Sequence, residues 1–196
     1  MSQTKIASGY DLETPTGTRA EALTRARGFL SENFNLGLGN ATGGSATGGT
    51  LFVTAVGVKP GDVINNIHIA VETAGTGSGC TLAQLALYDR LGTRLAETAD
   101  SAGDRTKTET VGIKSFALTA PYTVGVSTDA LYAAFVNTNG TTVCSLIVSG
   151  TSDVTAGAAV TGKFQAFGTG GTSQTETPAT ATIVATSGIN FWAAFS

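Results

Sequence analysis

The chain has 196 residues, a formal net charge of −3, 41% hydrophobic residues and only 13% charged ones. That composition supports one domain with a real core and excludes global disorder. The eleven Lys and Arg are scattered, so the clustered cations of a phosphate-tracking groove are missing and no nucleic acid is expected as partner.

Residues 1–16 read as extended and polar, without the apolar stretch of a secretory signal. No run in the chain approaches the roughly 18 apolar residues that span a bilayer, so folding in a cytoplasm without membrane insertion is expected. The character changes at "GTRAEALTRARGFLSENF". Thr18 and Glu21 make a capping box, helix formers follow, and Gly28 is a stop signal, which predicts about two helical turns. Leu23, Phe29, Leu30, Phe34 and Leu36 make residues 1–38 too apolar for a solvated tail. They are expected to bury themselves against their own domain or another chain, and are the candidate attachment residues of an N-terminal arm.

"GLGNATGGSATGGTLF" follows, with six glycines before Leu51 and Phe52. Residues 39–49 read as a flexible hinge between the arm and a domain spanning 50–196. A loop within one compact unit is the alternative.

Beyond it the period becomes two. "TLFVTAVGV" places Leu51, Val53 and Ala55 on one face, and "KPGD" is a Pro-Gly turn. "VINNIHIAVET" puts Ile67, Ile69 and Val71 opposite His68, Ala70 and Glu72. "CTLAQLALYD" reads as a strand, and "DRLGTRLAETAD" turns back at Leu91-Gly92 as a hairpin. "DSAGDRTKTET" reads as a charged, exposed loop. "VGIKSFALTAPYTVG" reads as a strand ending at Pro121. "ALYAAFVNTNG" and "TTVCSLIVSG" flank an Asn-Gly pair, the clearest hairpin signal in the chain. Residues 149–187 are mostly Ser, Thr, Gly and Ala, and "SGINFWAAFS" is an aromatic terminal strand expected to dock. About eight short strands without alternating helices predict an all-β fold, an antiparallel β-sandwich of jelly-roll type with an extended, partly helical N-terminal arm; a closed barrel is the alternative.

Chemistry is sparsely signalled. His68 is the one histidine, so any Ser–His–Asp triad must use it, and no GxSxG elbow surrounds a serine. Cys144 sits mid-strand as a small hydrophobe, and Cys80 at a loop edge. Free thiols are the reading, with a single bridge as the alternative. Asp100, Asp104 and Glu109 share a loop with Arg105 and Lys107 and match no calcium loop. Glu72, Asp89 and Glu97 define no carboxylate pair across a cleft, and the glycine runs lack the GKS or GKT of a phosphate loop. The expectation is a non-enzyme, with no catalytic residue, metal or cofactor.

The phrases "VKPGDVINNIHIAVETAG", "LAQLALYDRLGTRLAETAD", "KSFALTAPYTV" and "ALYAAFVNTNGTT", over residues 50–148, resemble the small all-β domains of tailed-bacteriophage virion proteins, head-decoration or minor tail proteins of actinobacteriophage type. The likeness runs through Gly61-Asp62 before Ile67 and Ile69, Leu87-Tyr88-Asp89 before Gly92, and Pro121-Tyr122-Thr123 before Tyr132 and Phe135. It implies a structural virion protein assembled in the host cytoplasm, with other virion proteins (major capsid or tail protein) as partners. By analogy it also implies a homo-oligomer, a trimer being the usual habit. Capsid decoration through the arm is the favoured role. The alternative is a minor tail protein or a carbohydrate-binding adhesin contacting a host-surface glycan, with Tyr88, Tyr122, Tyr132 and Trp192 as candidate contacts, although aromatics at alternating strand positions read first as core.

Overall fold

The computed structural model describes residues 24–36, 39–45, 48–75, 82–101, 104, 107, 109–138, 144–148, 167–184 and 190–196. Among them are eleven strands: β1 (Ser31–Glu32), β2 (Asn40–Ser45), β3 (Phe52–Gly57), β4 (Val63–Thr73), β5 (Leu82–Tyr88), β6 (Arg94–Glu97), β7 (Gly112–Thr123), β8 (Ala130–Thr138), β9 (Ser145–Val148), β10 (Phe167–Thr169) and β11 (Ala193–Phe195). All named pairings are antiparallel. The chain is all-β, as its period-two patterning and charge-poor, Thr- and Val-rich strands require.

Two sheets share the strands. In the first, β7 lines one side of β4, while β11 and β9 line successive stretches of its other side; β1 then extends β11 and β2 extends β9. The second has the order β10-β3-β8-β5-β6. The faces that meet carry Phe52, Val56, Ile67, Ile69, Leu85, Leu87, Phe116, Leu131, Phe135, Leu146 and Phe195, all buried in one continuous core. Burying one such side chain stabilises by roughly 1.5–3 kcal/mol, so this interface is the main source of the fold's stability.

Much of each outer face is covered as well, each by a different piece of the same chain, while the outward residues of β7, Ile113 among them, stay exposed. On the second sheet, Leu51, Val53, Ala86, Tyr88, Tyr132 and Val136 form a buried cluster capped by Ala181 and Ile183. On the first, Ala70, Trp192 and Ala194 lie beneath Phe29, Phe34, Leu36 and Ile147. This explains why β5 and β8 read as near-continuous apolar runs: they are buried on both sides.

Four sequence expectations need correction. The Gly-rich stretch is not simply a hinge, because β2 occupies 40–45 and pairs with β9. Glycine lacks a side chain, yet it keeps the N–H and C=O that a ladder needs. Gly39 is small for a packing reason: a Cβ there would lie 2.4 Å from the Ile147 Cγ2. The arm does not end at residue 38 either, since β1 pairs with β11 and is part of the sandwich. The Asn-Gly pair does not close a hairpin, because β8 lies in the second sheet while β9 pairs with β4 and β2 in the first. A turn dipeptide specifies reversal of direction, and pairing is decided by which face each strand must bury. Finally, β7 runs past Pro121 to Thr123. Its pairing with β4 jumps from Ala117 to Tyr122, so Pro121 falls in a bulge where its missing N–H costs no ladder bond. Of the predicted helix, residues 24–26 are helical; its start, with Thr18, Glu21 and Leu23, lies outside the described residues.

The KPGD turn and the Leu91-Gly92 hairpin form where expected. Asp62 N donates to Lys59 O (3.0 Å) and Gly92 N to Asp89 O (3.1 Å).

Candidate functional site

The segment before β2 is fastened to the C-terminal strand by two polar side chains. Glu32, whose side chain is only 6% exposed, accepts from Arg27 Nη2 and Thr24 Oγ1 on Oε1, both at 2.8 Å. On Oε2 it accepts from Trp192 Nε1 at 3.1 Å. A buried carboxylate is tolerable only with such partners, and here they come from both ends of the chain.

Next to it, Asn33 uses both ends of its amide. Nδ2 donates to Phe191 O (2.7 Å) and to Thr54 Oγ1 (2.9 Å), and lies 3.4 Å from Asn190 Oδ1. Oδ1 accepts from the backbone N–H of Phe34 and Ala193, both at 3.0 Å. Thr54 Oγ1 in turn donates to Asn190 Oδ1 at 2.6 Å. Because Thr54 stands on β3, this knot joins the two sheets.

A second network pins residues 171–184 onto the other outer face. Gln84 Nε2 donates to Thr98 O (3.0 Å), and its Oε1 accepts from Thr177 N (2.8 Å). Arg94 donates to Thr177 O and pairs with Glu97 Oε2 at 2.6 Å. The Tyr88 hydroxyl donates to Pro178 O at 2.6 Å, and burial pushes its pKa well above the ordinary range.

The glycan-contact candidates are therefore corrected. Tyr88, Tyr132 and Trp192 are 0%, 2% and 0% exposed, so none presents a ring face to a sugar. Tyr122 is half-buried against the inter-sheet core. Alternating aromatics served the core on both sides of each sheet, a double demand that periodicity alone does not reveal. The attachment candidates are similarly committed: Phe29, Phe34 and Leu36 cover Trp192, and Leu30 packs on the main core.

His68 stands on the outer side of β4. Its Nε2 lies 2.8 Å from Ser196 Oγ, which also accepts from Asn66 Nδ2 at 3.2 Å. The ring meets Phe29 edge-on, centroids 5.0 Å apart. Burial, with help from the Lys107 charge, lowers its pKa to about 4. A Ser–His contact exists, but an imidazole this weakly basic is a poor general base near neutral pH. Cys144 is buried and accepts from Asn137 Nδ2 at 3.3 Å; Cys80 lies outside the described residues. Asp100 Oδ1 accepts from Ala83 N at 2.8 Å, and Glu97 belongs to the Thr177 network. Asp100 thus holds a backbone N–H, and Glu97 the side chains of Gln84, Arg94 and Thr177. No three metal-ligating side chains gather among the described residues.

One concavity stands out, a cleft of about 360 Å³ between the 24–35 segment, the β3–β4 turn and Asp129. Leu30, Phe34 and Val58 line it together with Arg25, Ser31 and Asp129. No sequence signal marked it, because its walls come from three distant stretches. Glu32 in "LSENF" was the nearest hint, an acid flanked by Ser31 and Asn33 between Leu30 and Phe34. No family model, no curated protein and no solved structure matches the chain.

Proposed function

We propose that the protein is a non-enzymatic structural component of a bacteriophage virion, a capsid decoration protein built on a jelly roll. The observation that carries this reading is strand order. Four strands of one sheet run β2-β9-β4-β7, and four of the other run β3-β8-β5-β6. From β2 to β9 the chain alternates between sheets at every step except the β5–β6 hairpin. That alternation supports reading the fold as an eight-stranded double-sheet jelly roll, an architecture used by viral capsid and lectin domains. Fold alone does not assign function. The sequence resemblance over residues 50–148 is what favours the virion role over other uses of the same architecture.

The self-covered outer faces support a scaffold role. Parts of both outer faces are buried under the protein's own chain. Because Phe29 to Leu36 belong to the sandwich, the arm that docks on a capsid or tail protein is assigned to the residues preceding Thr24. A minor tail protein is the second reading, since the same domain and arm suit either location. A homo-oligomer on the particle surface accompanies both.

The test is co-sedimentation with assembled heads and with tails, comparing the full chain with one lacking residues 1–23. Decoration predicts that the full chain binds heads and the shortened chain does not. Binding to tails alone would move the assignment to the tail, and binding to neither would remove the virion reading.

A further inference from the structure

We infer that one end of the sandwich, formed by the β3–β4, β5–β6 and β7–β8 turns, is the face that seats on a neighbouring virion protein, with Leu91 and Val126 as its apolar contacts. The inference rests on the virion reading and adds to it a second contact, inside the folded unit, beside the arm that precedes Thr24.

Strand register brings the three turns to one end. Gly57, the last residue of β3, pairs with Ala130, the first of β8, and Tyr88 at the end of β5 pairs with Tyr132. Val58 N donates to Asp129 O and Gly61 N to Val124 O, both at 2.9 Å. On the tips stand Val126 and Leu91, 91% and 80% exposed, the two most exposed large apolar side chains among the described residues.

Neither tip is slack. Asp89 Oδ1 accepts from the N–H of Leu91 and of Thr93, both at 2.8 Å, and Gly92 O accepts from Ala181 N at 2.8 Å. Under Val126, Thr128 N donates to Gly125 O at 3.1 Å, and Val124 N donates to Asp62 O at 2.9 Å. One exposed apolar residue is ordinary. Two of them, held out on braced turns at the same end, can be buried by a partner with little loss of conformational entropy.

Charge and chain path select the occupant. Arg25, Lys59 and Arg90 at this end are balanced by Asp62, Asp89 and Asp129. Nucleic acid and anionic bilayers are bound through clustered cations, whereas apolar contacts inside a mixed charged rim fit a protein surface. The chain before Thr24 leaves from this end, because Thr24 and Arg25 share one cleft with Lys59, Asp62 and Asp129. An arm and a face at one end reach the same partner, and each raises the effective concentration of the other. That favours the protein that receives the arm over a second copy of this chain.

The experiment is co-sedimentation of the full chain, and of its L91E/V126E and L91M/V126I variants, with assembled heads and with tails. The expected result is that L91E/V126E binds about tenfold or more weakly, the worth of burying one such side chain, while L91M/V126I binds as the parent does. Urea midpoints of all three chains should agree, since both positions are exposed. Undiminished binding by L91E/V126E overturns the inference and leaves the virion reading standing, whereas no binding by the parent chain overturns both. A midpoint lowered in L91E/V126E would assign the tips to the fold and overturn the inference as well. Two further arms use phosphatidylcholine vesicles with and without phosphatidylserine, and sedimentation velocity of the chain alone. An L91E/V126E defect confined to vesicle binding or to self-association would give the face to a bilayer or to a second copy instead.

Discussion

Glu32 and His68 occupy the same outer face of the first sheet and respond to opposite demands. Glu32 is held as part of a clasp by Arg27, Thr24 and Trp192. Replacing it with alanine leaves the indole N–H without its acceptor, and E32A is expected to lose about 2–3 kcal/mol. Urea unfolding should then show a lower midpoint at an unchanged slope. His68 is held neutral: its folded pKa is about 4, against an unfolded value near 6.5. The unfolded chain therefore binds the proton more readily, and stability is fully present above about pH 6.5. It declines as pH falls from there through about 4 and levels off below. In H68Q this portion of the acid slope should vanish from unfolding midpoints measured across that range, while carboxylate contributions persist.

At the scale of elements, turns decide where strands reverse, and sheet packing decides what they meet. Gly61 and Gly92 both take left-handed backbone, φ of +85° and +83°. A Cβ on Gly61 would meet open space, whereas one on Gly92 would lie 1.9 Å from the Ala181 carbonyl oxygen. G61A is expected to cost about 1–2 kcal/mol, the strain of the conformation alone. G92A should cost clearly more, because it also displaces residues 179–181 from the second sheet. Thermal unfolding of the two variants side by side gives the comparison. The Asn-Gly pair after β8 shows the limit of turn chemistry. Its neighbours Phe135 and Leu146 both face the inter-sheet core, from opposite sheets, and burying both forces the chain to cross between layers.

For the whole molecule, the two chain ends are interdependent. Residues 24–36 cover the outer face that β11 helps to form, and Asn33 ties that face to β3. Removing residues 1–23 should leave the sandwich folded, with the indole of Trp192, the one tryptophan, still emitting as a buried group. Removing residues 1–38 deletes β1, Glu32 and Asn33 together and uncovers Trp192. Its fluorescence should shift to the red, and the midpoint of unfolding should fall by far more than any single substitution produces.

The all-β class, the KPGD and Leu91-Gly92 turns, and the inward faces of β4 and β5 were legible in the residues themselves, because a half-buried strand writes its period into hydrophobic alternation. The winding, the covering layers, the cleft and the Glu32 and Asn33 knots were not. Each depends on segments distant in sequence arriving at one place, and local patterning carries no record of which surfaces will meet. Tyr88, Tyr132 and Trp192 show this most plainly: sequence could mark them as aromatics on strands, but only the packing of a second layer over each sheet made them core. Glycines 43 and 44 show it in reverse, since a composition that reads as slack chain became strand β2 once β9 offered its edge. Local sequence set the conformations each segment favours, and tertiary burial chose among them, because free energy from excluded water accrues to the assembled faces and not to any segment alone.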